Sequence, residues 1–156
     1  MKILKGGLVM AERLTEEKVK QLCQEGGLDC SQIVFAHGAE VMGLLDKDEA
    51  YKIGACFGGG MMNGETCGCV TGALMALGLK QGHTMGEFDA KEAVLALKTE
   101  FENAFREQNG SLLCRDIIGL DFSKPEDLEK IMTTDVLWKT CPKLIADTCE
   151  LLEEFI

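Results

Sequence analysis

The amino-acid sequence predicts an all-α fold, a compact bundle of about six to eight short helices. Apolar residues recur at helical spacing along most of the chain, helix-capping residues precede several of these segments, and no segment alternates as a strand does. The 156 residues fit a single domain, 1–156, that is long enough to bury a core without disulfides.

Four helices are predicted in the first half of the chain, each with its own boundary residue. Gly26 ends the first helix, and Asp29 is expected to cap the second. Asp46 has the capping-box spacing for the third helix, and Thr66 is expected to cap the fourth. The predicted ranges are about 14–24, 30–45, 47–57 and 67–79, with a loop over 61–65 between the last two.

The second half is predicted to contain four more helices. Thr84 and Glu87 form a capping box before a long helix that Asn109-Gly110 closes, and Ser111 caps a short helix over 112–118. Pro125 suits the first turn of the next helix. By the same argument, Cys141-Pro142 is expected to open the last one.

Charge and hydropathy exclude several classes of function. The chain has 26 acidic and 16 basic residues, a net charge of −10, and no cluster of Lys and Arg, which argues against nucleic acid and anionic membranes as partners. No secretory signal follows Met1, and the longest apolar run, 68–79, is too short to span a bilayer. We expect a cytoplasmic protein with a possible redox partner protein and a possible homo-oligomeric state.

Cysteine is the unusual component of the sequence. A cytosolic chain rarely uses cysteines as a disulfide framework, so many of them favour metal binding, a cluster or redox chemistry. The alternative is a non-catalytic helical interaction module whose cysteines pack in the core. The eight cysteines are Cys23, Cys30, Cys56, Cys67, Cys69, Cys114, Cys141 and Cys149.

Four of these cysteines lie in or beside a predicted first helical turn: Cys30, Cys67, Cys114 and Cys141. Free N–H groups and the helix dipole stabilise a thiolate there, and the thiolate is both the nucleophile and the metal ligand. Cys67 is expected to be among the most acidic thiols and more reactive than Cys149, which lies inside a helix. Arg115 has two readings, as a cation beside the Cys114 thiolate or as a member of a surface ion pair.

Several segments resemble one known family. Residues 57–61, Phe-Gly-Gly-Gly-Met, and 64–74, Gly-Glu-Thr-Cys-Gly-Cys-Val-Thr-Gly-Ala-Leu, are similar to the signature of the redox-active protein family named for its C-GCAxxG-C-C cysteine pattern. The segments around Cys30, Cys114 and Cys141 resemble the family's other cysteine segments. The family usually has Ala where this chain has Cys69, which adds a possible ligand or resolving thiol.

The resemblance implies a redox function carried by Cys30, Cys67, Cys114 and Cys141. These four would act as catalytic thiols or as metal ligands, and the same four with Cys69 would bind any cofactor. Four thiolates suit an Fe–S cluster or a zinc-like metal, whereas two suit a thiol–disulfide pair. The protein would then be an oxidoreductase or an electron-transfer accessory protein. Because no Cys-x-x-Cys pair is present, the four must be brought into one pocket by the fold.

Overall fold

A computed structural model describes residues 11–156, and residues 1–10, where no secretory signal is expected, lie outside that range. The predicted all-α fold is confirmed. One isolated antiparallel bridge, Thr66 to Leu113, is the only β pairing in this range. No helix within it is long and apolar enough to cross a membrane. The helices are α1 (Glu16–Gln24), α2 (Cys30–Met42), α3 (Lys47–Gly54), α4 (Gly68–Gln81), α5 (Phe88–Asn109), α6 (Cys114–Ile118), α7 (Pro125–Thr133) and α8 (Val136–Glu153).

Helices α2 and α4 pack closely at the centre of the bundle. A Cβ atom on Gly72 of α4 would lie 2.7 Å from the carbonyl oxygen of Ser31, and one on Gly38 of α2 would lie 2.7 Å from the Cβ of Ala76. The small residues on the two helices therefore let the two backbones approach each other. The Ser31 hydroxyl also donates a 2.8 Å hydrogen bond to the Gly54 carbonyl, which ties α3 to α2.

The remaining helices enclose this pair. Phe101 and Phe105 of α5 are fully buried, and the Phe101 ring packs edge-on against Phe155 with the ring centroids 5.4 Å apart. Buried Ile118 and Ile131 belong to a smaller apolar cluster formed around α6 and α7. The wall that α6, α7 and α8 form stands opposite the N-terminal ends of α2 and α4, so a space remains between them.

Helix α8 begins at Val136, so the prediction that Cys141-Pro142 opens the last helix is wrong. Pro142 lies inside the helix, where it cannot donate the hydrogen bond that residue 142 would otherwise give to the carbonyl of Trp138. Proline suits a first turn, but it does not mark one here, because the apolar residues 136–138 already continue the buried stripe of α8.

Two other helix starts also differ from the predictions. The N-cap of α4 is Cys67 and not Thr66, which instead pairs with Leu113 in the bridge. Helix α5 begins at Phe88, although Glu87 does accept the expected hydrogen bond from the backbone N–H of Thr84. The capping bonds are therefore present before α5, whereas Thr66 makes no cap because it is held in the bridge to Leu113.

Candidate functional site

A cavity of about 260 Å³ lies among α1, α2, α4, α6 and α8. Its wall is largely apolar and includes Met62, Phe122 and Trp138. Six of the eight cysteines line it, from five different helical segments, namely Cys23, Cys30, Cys67, Cys69, Cys114 and Cys141. The fold thus gathers cysteines that are far apart in sequence around one partly open cavity.

All four cysteines selected from the sequence line this cavity, and the added thiol Cys69 lines it too. The structure also brings in Cys23, which sequence reasoning set aside because it is near a helix C-terminus. The Gly26-Gly27 pair could have indicated from the sequence that Cys23 lies near Cys30, because it predicts a turn between them. In the structure the Gly27 N–H donates to the Cys23 carbonyl at 3.1 Å, and the chain turns there toward Cys30. Cys56 and Cys149 are not among the lining residues.

Cys30 lies at the centre of a hydrogen-bonded group of three thiols. It is the first residue of α2, and its sulfur accepts hydrogen bonds from the thiols of Cys67 and Cys69 and from the backbone N–H groups of Ser31 and Gly59. The Cys67 thiol contributes most, and together the donors outweigh burial and hold the pKa of Cys30 well below its ordinary value. Cys30 is a partly exposed residue and lines the cavity.

Cys67 is not the acidic thiol that the sequence predicts. Its role as hydrogen-bond donor to the Cys30 sulfur, together with burial, raises the pKa of Cys67 well above the ordinary value. The pKa of Cys69 is raised for the same reasons. Three adjacent sulfurs can stabilise one negative charge but not three. The charge resides on Cys30, because Cys30 alone has two backbone N–H donors from separate segments.

A left-handed turn precedes α4 and contributes to this site. Four consecutive residues have positive φ: Gly59 at 62°, Gly60 at 60°, Met61 at 56° and Met62 at 56°. The conformation is unstrained for glycine but costs a methionine about 1–2 kcal/mol. The turn aims the Gly59 N–H at the Cys30 sulfur and leaves Met62 at the cavity wall. The sequence predicts only a loop in this place.

A short backbone connection joins the Cys67 and Cys114 segments. The Cys67 N–H donates to the Leu112 carbonyl at 2.8 Å, and the Cys114 N–H donates to the Glu65 carbonyl at 2.7 Å. Cys114 is the first residue of α6, so this helix starts two residues later than predicted, with Leu113 and not Ser111 as its N-cap. Burial, and next the charge of Cys30, nevertheless raise the pKa of the Cys114 thiol to about 12. It therefore keeps its proton at neutral pH.

Cys141 faces the cavity from within α8, without the free N–H groups of a helix start. Burial and the charge of Cys30 raise the pKa of the Cys141 thiol. Arg115 is next to Cys114 in the sequence, but its guanidinium forms an ion pair with Glu65 at 3.0 Å. The ion-pair reading of Arg115 is the correct one.

A metal ion or Fe–S cluster requires several side chains whose donor atoms converge on one point. Within residues 11–156, no three His, Cys, Asp or Glu side chains are arranged to hold a metal ion. The present arrangement is therefore a hydrogen-bonded thiol cluster and does not fit a metal centre.

Comparison with known proteins gives one result. A family model described as "Putative redox-active protein (C_GCAxxG_C_C)" matches residues 28–155, a range that contains Cys30, Cys67, Cys114 and Cys141. No curated protein and no solved structure matches the chain. The matched range covers most of the 156 residues and every helix that lines the cavity except α1. The chain belongs to this family of redox-active proteins with the C-GCAxxG-C-C cysteine pattern.

Proposed function

We propose that the protein is a thiol–disulfide oxidoreductase in which Cys30 is the nucleophile and Cys67 or Cys69 is its intramolecular partner. One observation carries this proposal: Cys30, Cys67 and Cys69 line the same cavity, and Gly68, which stands between Cys67 and Cys69, lies directly against the Cys30 sulfur. A nucleophilic thiolate in contact with a second thiol is the minimum requirement for exchange through a mixed disulfide.

Cys30 has the properties of the attacking group. Its lowered pKa increases the fraction of thiolate, and Cys30 is a partly exposed residue that lines the cavity. Cys67 and Cys69, with 4% and 0% exposure, have no comparable access to an external molecule. The first attack on a substrate therefore falls to Cys30, and the two buried thiols act on the intermediate.

The reaction conserves atoms and electrons. The Cys30 thiolate attacks one sulfur of a substrate disulfide, the substrate S–S bond breaks, and one substrate thiolate leaves and takes up a proton from water. Cys67 then loses its proton, attacks the Cys30 sulfur, and displaces the second substrate thiolate. Two electrons pass from the cysteine pair to the substrate, and a low-molecular-weight dithiol that can enter the cavity reduces the Cys30–Cys67 disulfide again.

Formation of the mixed disulfide itself activates the second thiol. The charge of the Cys30 thiolate raises the pKa of Cys67, and the hydrogen bond to that thiolate holds the Cys67 proton. Once Cys30 is bonded to a substrate sulfur, both effects disappear. The pKa of Cys67 then falls, so the resolving thiolate becomes available only after the first step. The same argument applies to Cys69.

The test is to oxidise the full-length protein in buffers with graded ratios of reduced to oxidised dithiothreitol and to map disulfides by peptide mass spectrometry. We expect a Cys30–Cys67 or Cys30–Cys69 bond that Cys30→Ser abolishes. Cys56→Ser is the matched control, because Cys56 is exposed and does not line the cavity, and this variant should oxidise normally.

Two other results would contradict the proposal. If every cavity thiol stays reduced in the most oxidising buffer, the cysteines serve as core packing in a non-catalytic interaction module. If anaerobically purified protein contains stoichiometric iron or zinc that Cys30→Ser releases, the thiols are ligands of a cluster or metal. Either result would replace thiol–disulfide exchange as the function of the site.

A further inference from the structure

We infer that the disulfide reduced at this site is a small uncharged molecule that enters the cavity, and that anionic disulfides and disulfides of folded proteins are excluded. The inference rests on the proposed function and adds a substrate class to it. The size of the cavity, the sign of the charges around it and the burial of the partner thiols each support it.

The size of the cavity limits what can reach Cys30. A cavity of about 150 Å³ holds a benzene-sized molecule, and this one measures about 260 Å³. A molecule with roughly ten non-hydrogen atoms therefore fits beside the Cys30 sulfur. A dipeptide disulfide or a larger thiol conjugate would leave part of its body outside the cavity, where it loses contact with the wall.

The charged groups on the cavity wall are all negative. Asp29 and Cys30 both line the cavity, and burial, followed by the negative charges of Cys30 and Asp29, raises the pKa of the nearby Cys23 thiol to about 11. In the part of the chain that the structure describes, no Lys, Arg or His lines this space. A carboxylate on the substrate would meet only repulsion from these groups and no cation to pair with.

The rest of the wall favours an apolar body. Phe122, Leu137 and Trp138 present side chains to the cavity, and Met62 adds a polarisable sulfur at the left-handed turn. An apolar ligand binds favourably to such a lining, because binding removes apolar surface from water. The lining offers few polar groups that could orient a polar ligand. A neutral disulfide with short arms matches both the lining and the charge.

The recessed partner thiols argue against a protein disulfide as the substrate. Resolution requires Cys67 or Cys69, which are almost fully buried, to reach the Cys30 sulfur while the substrate is still attached. A folded protein would have to insert its disulfide past the cavity mouth to place a sulfur there. A small molecule meets no such barrier.

The experiment compares disulfides of similar size and different charge: 2-hydroxyethyl disulfide, which is neutral, and dithiodiglycolate, which is a dianion. The rate of Cys30 mixed-disulfide formation is followed by mass spectrometry and divided by the rate of the same disulfide with dithiothreitol, which removes differences in leaving group. We expect the normalised rate for the dianion to be lower by at least about tenfold. Insulin serves as the protein disulfide and should react more slowly than the neutral probe.

Asp29→Asn tests the electrostatic cause. Asparagine is also a good N-cap, so the variant keeps the start of α2 while removing one negative charge from the cavity wall. The ratio of neutral to dianion rates should fall several-fold in this variant. Glu107→Gln, an exposed carboxylate on α5 away from the cavity, removes the same charge and should leave the ratio unchanged.

Equal normalised rates for the two probes, a ratio unaffected by Asp29→Asn, or a faster reaction with insulin would each overturn this inference. These outcomes are distinct from failure of the proposed function. If the internal disulfide forms in dithiothreitol buffers but the neutral and dianionic probes react at the same normalised rate, only the substrate class is wrong. If no internal disulfide forms in any buffer, the exchange mechanism itself fails.

Discussion

Gly68 lies against the Cys30 sulfur: a Cβ atom built on Gly68 would be only 2.3 Å from Cys30 Sγ. No other residue type can occupy this position of α4 unless the thiolate moves. The glycine between Cys67 and Cys69 therefore does more than loosen the helix, because its missing side chain is the space that the reactive sulfur fills.

Gly68→Ala should accordingly destabilise the fold by about 2 kcal/mol, as overpacking does in a tight core. It should also raise the pKa of Cys30, since the displaced sulfur loses its donors. Urea unfolding and the thiolate absorbance near 240 nm measure the two effects. Gly78→Ala is the matched control on the same helix. Its Cβ would meet nothing within 4 Å, so it should stabilise by about 0.5–1 kcal/mol.

Site-resolved alkylation should identify Cys30 as the most acidic thiol of the cavity. With iodoacetamide, its modification should reach a plateau at a lower pH than that of Cys23, whose pKa is raised to about 11. Cys67→Ala removes the largest hydrogen-bond contribution and should shift the Cys30 curve to higher pH. An unchanged curve in Cys67→Ala would mean that the thiol cluster does not set the acidity of Cys30.

The strain at Met61 predicts an inverted preference between glycine and alanine. At an ordinary helical position alanine is the more stabilising of the two, but at φ 56° only glycine is free of strain. Met61→Gly should therefore be more stable than Met61→Ala by about 1 kcal/mol in thermal unfolding. If alanine proves equal or better, the left-handed turn is not present in solution.

Burial of Cys149 predicts a loss of stability in alkaline solution. Its pKa is raised from 9.0 to about 12 by burial and the charge of Glu153. The unfolded chain therefore releases this proton first, and the contribution to stability, complete below pH 9, is lost as pH rises toward 12. The loss is up to about 1.4 kcal/mol per pH unit within that window. Urea unfolding of reduced Cys149→Ala should show a shallower pH dependence than the unsubstituted protein above pH 9.

His37 and Glu153 offer a test that is independent of the thiols. His37 Nε2, on a side chain only 2% exposed, is 2.7 Å from Glu153 Oε1 and so ties α2 to the end of α8. Glu153→Ala should cost about 1–3 kcal/mol, because it leaves a buried ring nitrogen without its partner. Glu153→Gln keeps an acceptor and should cost less, and exposed Glu154→Ala should be near neutral.

The sequence was sufficient for the fold class and for the capping of several helices, because those features depend on neighbouring residues. Asp46, for example, accepts backbone hydrogen bonds from Asp48 and Glu49 at the start of α3. The start of α8 was mispredicted because the local preference of Pro142 competes with a longer apolar stripe. Helix-start reasoning chose cysteines that do line the cavity, but for Cys141 the stated reason was wrong.

The sequence alone could not predict which thiol of the cluster has the lowest pKa. It depends on the approach of α4 to α2 through Gly68 and Gly72, and on the N–H group that the left-handed turn aims at Cys30. Sequence rules disfavour methionine in that conformation, so they cannot anticipate a turn that tertiary packing imposes on Met61 and Met62. Spatial contact, and not helix position alone, determines which thiol is acidic.

The bridge between Thr66 and Leu113 has a consequence for the order in which the site is completed during synthesis. The three thiols in mutual contact all lie within residues 30–69, whereas Cys114, Phe122 and Cys141, which close the cavity, are added later. A growing chain therefore carries the whole reactive group before the wall that shelters it exists. Closure occurs only when residues 112–114 have emerged from the ribosome and can pair with residues 65–67.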